Sequence, residues 1–148
     1  MIIKLDHWQK ETAEAIQRIQ KPAYEVEAKL IGFDGIPQIE EPVEEIQKSD
    51  EVFMGIVEER LKGFISFKEI GKTIDIHRLV VDPAAFRQGL GKRLLVHLIE
   101  QYDNHDFVVS TGTANQPAVN LYESMGFTEQ KRFEVAPRIM CSEFLKRK

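Results

Sequence analysis

The sequence predicts an α/β fold, a mixed and mostly antiparallel sheet of about seven strands flanked by about four helices, in one domain spanning residues 1–148. Three observations carry that expectation. Residues 51–81 hold three runs rich in β-branched and aromatic side chains, broken near Gly63 and Gly71, the signature of short strands joined by tight connections. The period then changes, because Leu90, Leu94, Leu95, Leu98 and Tyr102 recur at helical spacing. The chain has 148 residues, 43% hydrophobic and 30% charged. A domain of that size buries about 68–70% of its unfolded surface, so its core needs no disulfide or structural metal.

In order along the chain, Ile2 to Leu5 reads as a short strand. Trp8, Ala15, Ile16 and Ile19 follow at helical spacing up to a break before Pro22, and Tyr24 to Ile31 reads as a second helix. Gly32 to Pro42 is punctuated as a loop and is a candidate cleft wall. Glu51–Glu59, Leu61–Ile70 and Thr73–Val81 read as an antiparallel meander. The amphipathic helix from Leu90 comes next, then a short strand at Phe107–Ser110. A helix through Pro117, Ala118, Leu121, Tyr122 and Met125 closes at Gly126, and strands at 127–135 and 139–145 flank Ala136-Pro137. The expected order is β α α β β β α β α β β.

Twenty Lys and Arg against 24 Asp and Glu give a net charge of −4, which argues against a general nucleic-acid binder or a polybasic membrane binder. The single cysteine, Cys141, forms no intramolecular disulfide and no zinc site, and it suits a reducing cytoplasm. It reads as a small core residue. His7, His97 and His105 show no ligand spacing, so no metal is expected. Met1 to Asp6 is too short an apolar run for a signal peptide, and no stretch approaches the ~20 apolar residues of a membrane helix.

The segment Leu79-Val-Val-Asp-Pro-Ala-Ala-Phe-Arg-Gln-Gly-Leu-Gly-Lys-Arg-Leu-Leu95 carries the first chemical signal. A strand ends, a turn passes Pro83, and a helix opens around Gly89-Leu90-Gly91. The first amides of a helix lack intrahelical acceptors and converge on anions, and Arg87, Lys92 and Arg93 add charge suited to a pyrophosphate. The competing reading is a tight turn whose glycines only relieve strain. A P-loop is excluded because Phe86 stands where its first glycine belongs and Arg93 where Ser or Thr belongs. A dinucleotide fingerprint is excluded because Leu94 replaces the third glycine and probable antiparallel strands precede it.

Phe86-Arg87-Gln88-Gly89-Leu90-Gly91 resembles the Gln/Arg-x-x-Gly-x-Gly/Ala signature of the GNAT family of N-acetyltransferases, departing at Phe86. Asn115-Gln-Pro-Ala118-Val-Asn-Leu121-Tyr122-Glu-Ser-Met-Gly126-Phe127 is similar to that family's Asn-x-x-Ala-x-x-Leu-Tyr-x-x-x-Gly-Phe segment. The resemblance covers about residues 51–145 as a coenzyme-binding core, with 1–50 as the variable acceptor side. It implies acetyl-CoA as cosubstrate and direct transfer of acetyl to a primary amine in a ternary complex. Leu79, Val80 and Val81 would offer backbone groups to the pantetheine arm, in an opening between the strands near Leu79 and Phe107. Arg87, Gln88, Gly89, Leu90, Gly91 and Lys92 would cradle the pyrophosphate, and Asn115 would bond the arm from across the cleft. Tyr122 would protonate the leaving thiolate; the plain alternative is a core tyrosine among Ala118, Leu121 and Met125.

Strand alternation places Asp75, His77, Leu79 and Val81 on one face, so Asp75 and His77 are the candidate bases, with a solvated or hydrogen-bonded strand role as the alternative. Tyr24, Glu27, Phe33, Glu40, Glu41, Glu44 and Glu45 are candidates for the acceptor side. The partner expected is a small-molecule or peptide amine, with no nucleic acid or membrane, and the chain is expected as a monomer or homodimer. A non-catalytic acyl-CoA-binding module and a purely structural domain are the rival readings.

Overall fold

The computed structural model describes all 148 residues, Met1–Lys148. Its elements are β1 (Ile2–Leu5), α1 (Lys10–Ile31), a 3-10 turn at Pro37–Glu40, α2 (Val43–Lys48), β2 (Val52–Glu58), β3 (Arg60–Ile70), β4 (Thr73–Val81), a 3-10 turn at Pro83–Ala85, α3 (Leu90–Gln101), β5 (Asp106–Gly112), α4 (Gln116–Ser124), β6 (Thr128–Ala136) and β7 (Ile139–Lys146). The seven strands form one sheet in the order β1-β2-β3-β4-β5-β7-β6. Only the β4–β5 pair is parallel, which fits the helical crossover α3 between them. The fold is the expected seven-stranded, four-helix α/β architecture.

One expectation fails in the N-terminal third. The two helices divided at Pro22 are a single 22-residue helix, with Pro22 inside it. An interior proline removes one hydrogen bond and crowds the carbonyl four residues back. Here that carbonyl belongs to Arg18, an exposed residue on the solvent side of the helix. Ala13, Ile16, Ile19 and Gln20 are buried before the break, and Ala23 and Tyr24 pack on the same core after it, so tertiary packing holds the helix together across Pro22. Gly32 then ends α1 in the left-handed conformation at φ 68°, its N–H returning to the Ala28 carbonyl, as a helix C-terminus favours.

Each face of the sheet has its own core. On one side Ala13, Ile16, Ile19 and Ile46 of α1 and α2 pack with Phe53, Phe64 and Val80. On the other, Leu90, Leu94, Leu95, Leu98 and Tyr122 of α3 and α4 pack with Ile65, Phe67, Ile74, Ile76, Phe107 and Phe144. A bulge decides which residues of β4 share a face. Ser66 of β3 stands opposite Arg78, yet Phe67 stands opposite Ile76, so His77 is the extra residue. Ile74 and Ile76 therefore share the α3 face with Leu79 and Val81, while Val80 turns to the α1 face. The single face expected for Asp75, His77, Leu79 and Val81 does not exist, since the bulge shifts the alternation by one residue between the two pairs.

Candidate active site

The parallel ladder between β4 and β5 runs from Thr73 opposite Asp106 to Ile76 opposite Val109 and stops there. Beyond it, Ser110, Thr111 and Gly112 pair only with β7, and the sheet opens. The opening thus begins at the bulge, where added twist turns the strands apart. It lies between Leu79 and the end of β5 rather than near Phe107, which pairs with Ile74 and is buried. Asp82 N–H donates to the Lys62 carbonyl of β3. Backbone groups alternate sides along a strand, so Val80 also faces β3, and the N–H and C=O groups of Leu79 and Val81 face the opening. The Val80 side chain is in the core at 2% exposure.

Below the opening the chain turns into α3. Asp82 accepts a hydrogen bond from Ala84 N–H and pairs with Arg60, fixing the start of the turn. Arg87 and Gly89 both take the left-handed conformation, at φ 68° and 73°, the first a costly one for a residue with a β-carbon. The first hydrogen bond of α3 runs from Arg93 N–H to the Gly89 carbonyl, which leaves the amides ahead of it without helical acceptors. Arg87, Gln88, Lys92 and Arg93 are exposed around them, whereas the Leu90 side chain is buried. Gly91 sits against Leu121 and Val81 at 3.6 and 3.8 Å from where a β-carbon would stand, tying the turn to α4 and to the rim of the opening.

Tyr122 is 4% exposed and packs on Phe127 and Phe144 with ring centroids 5.6 and 5.9 Å away. His7 Nδ1 is the only sealed polar side-chain atom lacking a partner, so the unpartnered Tyr122 hydroxyl reaches accessible space. Burial pushes its ionisation well above the usual tyrosine range, and the charge of Glu27 adds to this; the group is a phenol, not a phenolate, across the neutral range. Asn115 is buried and already engaged. Its Oδ1 accepts from Ala118 N–H at 3.3 Å, capping α4, and its Nδ2 reaches Thr111 Oγ1 at 3.4 Å. Cys141 lies opposite Gly112 in the β5–β7 register and is half-buried rather than a core residue; burial and Glu27 both push its thiol up.

Asp75 and His77 are drawn into a different group. His77 Nε2 lies 3.2 Å from Asp75 Oδ2, and its Nδ1 lies 3.6 Å from Glu51 Oε2. Next to them, Arg78 is 5% exposed and donates to both oxygens of Glu41 and of Glu51 and to Gln20 Oε1. Its guanidinium also stands 5.3 Å from the centre of the Phe53 ring. Burial alone would raise the Glu51 carboxyl, but hydrogen bonds from Ser66 and Arg78 hold it below its ordinary range. Arg78 thereby fastens α1, the loop carrying Glu41, and the start of β2 to the bulge. Sequence pattern does not single Arg78 out, because its partners Glu51 and Glu41 lie 27 and 37 residues away along the chain. Of the acceptor-side candidates, Tyr24 lies near Arg78 and Glu51, Glu27 lies beside Asn115, and Glu41 belongs to the Arg78 network. Glu40, Glu44 and Glu45 are exposed.

Comparisons with known proteins bear on the family and the fold. The model of the acetyltransferase (GNAT) family matches residues 13–127, reaching back into α1. The chain is 38% identical over 146 residues to the UPF0157 protein YqkA of Bacillus subtilis, covering 97% of this chain and 43% of YqkA. It is 39% identical over 57 residues to the [ribosomal protein bS18]-alanine N-acetyltransferase of Escherichia coli, covering 36% of this chain and 38% of that protein. The chain spans about half, or less, of the length of the first of these curated relatives. Among solved structures, the S18-alanine N-acetyltransferase from Escherichia coli superposes with a TM-score of 0.76 at 20% identity, over 99% of this chain and 92% of that one. The PaiA N-acetyltransferase from Thermoplasma acidophilum, solved with coenzyme A, gives 0.74 at 19% identity, over 100% and 98%.

Proposed function

The chain belongs to the acetyltransferase (GNAT) family, and from that premise we propose that it transfers acetyl from acetyl-CoA to a primary amine by direct attack in a ternary complex. The observation that carries this reading is the juxtaposition of the open β4 edge with the anion-ready turn into α3. Leu79 and Val81 present free backbone donors and acceptors of the kind an extended amide-bearing arm pairs with. Beyond them the amides around Gly89, with Arg87, Lys92 and Arg93, match a pyrophosphate in charge and spacing. Phe86 carries no charge, so the amides and Arg87 would bear that contact.

Acetyl-CoA supplies an already activated thioester, so the protein's part is to position, to move protons and to exclude water. Tyr122 fits the role of acid: its hydroxyl is protonated, free of protein partners and carried on α4 beside the turn. Asn115 Oδ1 fixes the start of α4, and so the place of Tyr122, while its amide lies beside Glu27 and stays a candidate for the coenzyme arm. Asp75 and His77 stay candidates for the base, through the hydrogen-bonded pair they form. The acceptor class proposed is a cationic amine, small or peptide-borne. The name of the Escherichia coli relative adds support for a peptide amine.

The test is a thiol-release assay with acetyl-CoA and a panel of spermidine, an aminoglycoside and a peptide with a free N-terminal alanine. Wild type is expected to release thiol with at least one amine. Tyr122→Phe is expected to lower kcat by about 100-fold, the usual scale for a lost general acid, with coenzyme affinity by calorimetry unchanged. Coenzyme binding without thiol release would identify a non-catalytic acyl-CoA-binding module instead.

A further inference from the structure

Four residues of α1 lie on one stripe: Gln20, Tyr24, Glu27 and Ile31, at steps of four, three and four. The two ends of the stripe are anchored on opposite sides of the sheet opening. Gln20 accepts from Arg78 of β4 at 3.0 Å. Ile31 packs on Gly112 of β5 so closely that a β-carbon there would stand 2.6 Å from Ile31 Cγ2. Tyr24 and Glu27 therefore lie over the gap between β4 and β5. Tyr122 approaches the same gap from the α4 side. In an intact sheet the two faces would be screened from each other; here Glu27 stands close enough across the gap for its charge to raise the Tyr122 phenol.

Glu27 is a half-buried carboxylate with no lysine or arginine acting on it; burial and the Asn115 amide are its resolved influences. The titratable groups that face it are Tyr24, Tyr122 and Cys141, all protonated at neutral pH, with Arg78 and Glu51 behind Tyr24. Asp75 and His77, by contrast, are tied to each other and to Glu51. We propose that Glu27 is the catalytic base, taking a proton from the acceptor ammonium in the opening, with Tyr24 beside it and Tyr122 opposite. The inference rests on the acetyl-transfer reading above.

The protons and bonds balance as follows. Glu27 accepts one N–H proton of the protonated amine. The freed nitrogen lone pair forms the C–N bond to the acetyl carbonyl carbon, and the C–S bond breaks with its electron pair leaving on sulfur. Tyr122 gives its phenolic proton to that sulfur and is reprotonated by the second amine proton. Glu27 returns its proton to solvent, so one proton is released per amide formed. Burial raises the Glu27 carboxyl above its ordinary range while Asn115 works the other way, and a base so raised is better matched to an ammonium than an exposed carboxylate.

The experiment compares wild type, Glu27→Gln and Glu27→Asp by thiol release with spermidine and with the N-terminal alanine peptide, across pH 5–9. Glu27→Gln is expected to lower kcat by about 100-fold or more and to abolish the acidic limb of its pH profile. Glu27→Asp should retain part of both, and coenzyme affinity should stay within about twofold in each variant. A second readout uses the free protein: with carboxyl-labelled glutamate, the NMR resonance missing from Glu27→Gln should titrate above those of the exposed glutamates. An active wild type whose Glu27→Gln variant keeps kcat and the acidic limb, or a Glu27 resonance that titrates with the exposed ones, overturns this inference alone. No thiol release from wild type overturns the transfer reading and this inference with it.

Discussion

Replacing Arg78 by methionine tests whether the bulge in β4 is held by its ion network. The substitution removes five hydrogen bonds, to Gln20, Glu41 and Glu51, and leaves two carboxylates 18% and 11% exposed without their cation. Breaking a buried pair from one side costs about 3–5 kcal/mol, and partial exposure of Glu41 favours the lower figure. At about 3 kcal/mol and about 2–4 °C per kcal/mol for a chain of this size, Tm should fall by about 6–12 °C. The pH dependence gives the sign. In wild type the Glu51 carboxyl is held below its ordinary range, so its contribution is full above the unfolded value and fades as pH falls through the folded one. In Arg78→Met the stranded Glu51 carboxylate gains a proton as pH falls, so the deficit should shrink between pH 7 and pH 4. The assay is urea denaturation of both proteins at several pH values. The triple variant with Glu41→Gln and Glu51→Gln should recover much of the loss at pH 7 through coupling. A deficit below about 0.5 kcal/mol, the range of ordinary surface substitutions, or one that does not change with pH, would refute the reasoning.

Two backbone positions give simpler outcomes. Gly89→Ala meets no atom within 4 Å but keeps a left-handed φ of 73°, so it should cost about 1–2 kcal/mol by strain alone, with Gly89→Asn losing less in thermal denaturation. Equal losses for the two would remove the strain argument. Gly112→Ala forces a β-carbon to 2.6 Å from Ile31 Cγ2 and should destabilise by about 1–3 kcal/mol. Adding Ile31→Ala should make the pair less unstable than the sum of the single variants, and strict additivity in urea melts would show that the close approach is not the cause.

The parts of the fold that local chemistry decides were legible. The three-strand meander follows from alternation and glycine punctuation, and α3 follows from leucines at helical spacing behind a glycine turn. What escaped was set by partners distant in sequence. Pro22 reads locally as a break, yet α1 passes through it because Ala13, Ile16 and Ile19 before it and Ala23 and Tyr24 after it pack on one core. The bulge depends on β3, which sets Arg78 opposite Ser66 and Ile76 opposite Phe67. A trace of it is nonetheless written in β4: the apolar positions run Ile74, Ile76, then Leu79 and Val81, a change of phase that uninterrupted alternation cannot accommodate. That phase change would have separated Asp75 and His77 from Leu79 and Val81. At the site, the anion-ready turn and Tyr122 were readable from motif and spacing, whereas Glu27 acquired its place only when the long helix laid its stripe over the opening.

The bulge links these observations. By inserting His77 it turns the second half of β4 away from β5 and leaves the backbone groups of Leu79 and Val81 with no strand to pair with. Unpaired backbone groups shut away from water are costly, so a closed version of this edge would lose stability that the open one retains through contact with solvent or a ligand. The same insertion points Arg78 at Glu41 and Glu51, and that network ties the N-terminal helix and its following loop to the bulge. The helix in turn carries Tyr24 and Glu27 to the gap, with Ile31 seated against Gly112. One extra residue thus creates the opening, exposes the edge that lines it and anchors the helix that covers it. The geometry of the proposed site and the stability of the N-terminal third therefore depend on a common local distortion, and substitutions at Arg78 should register in both.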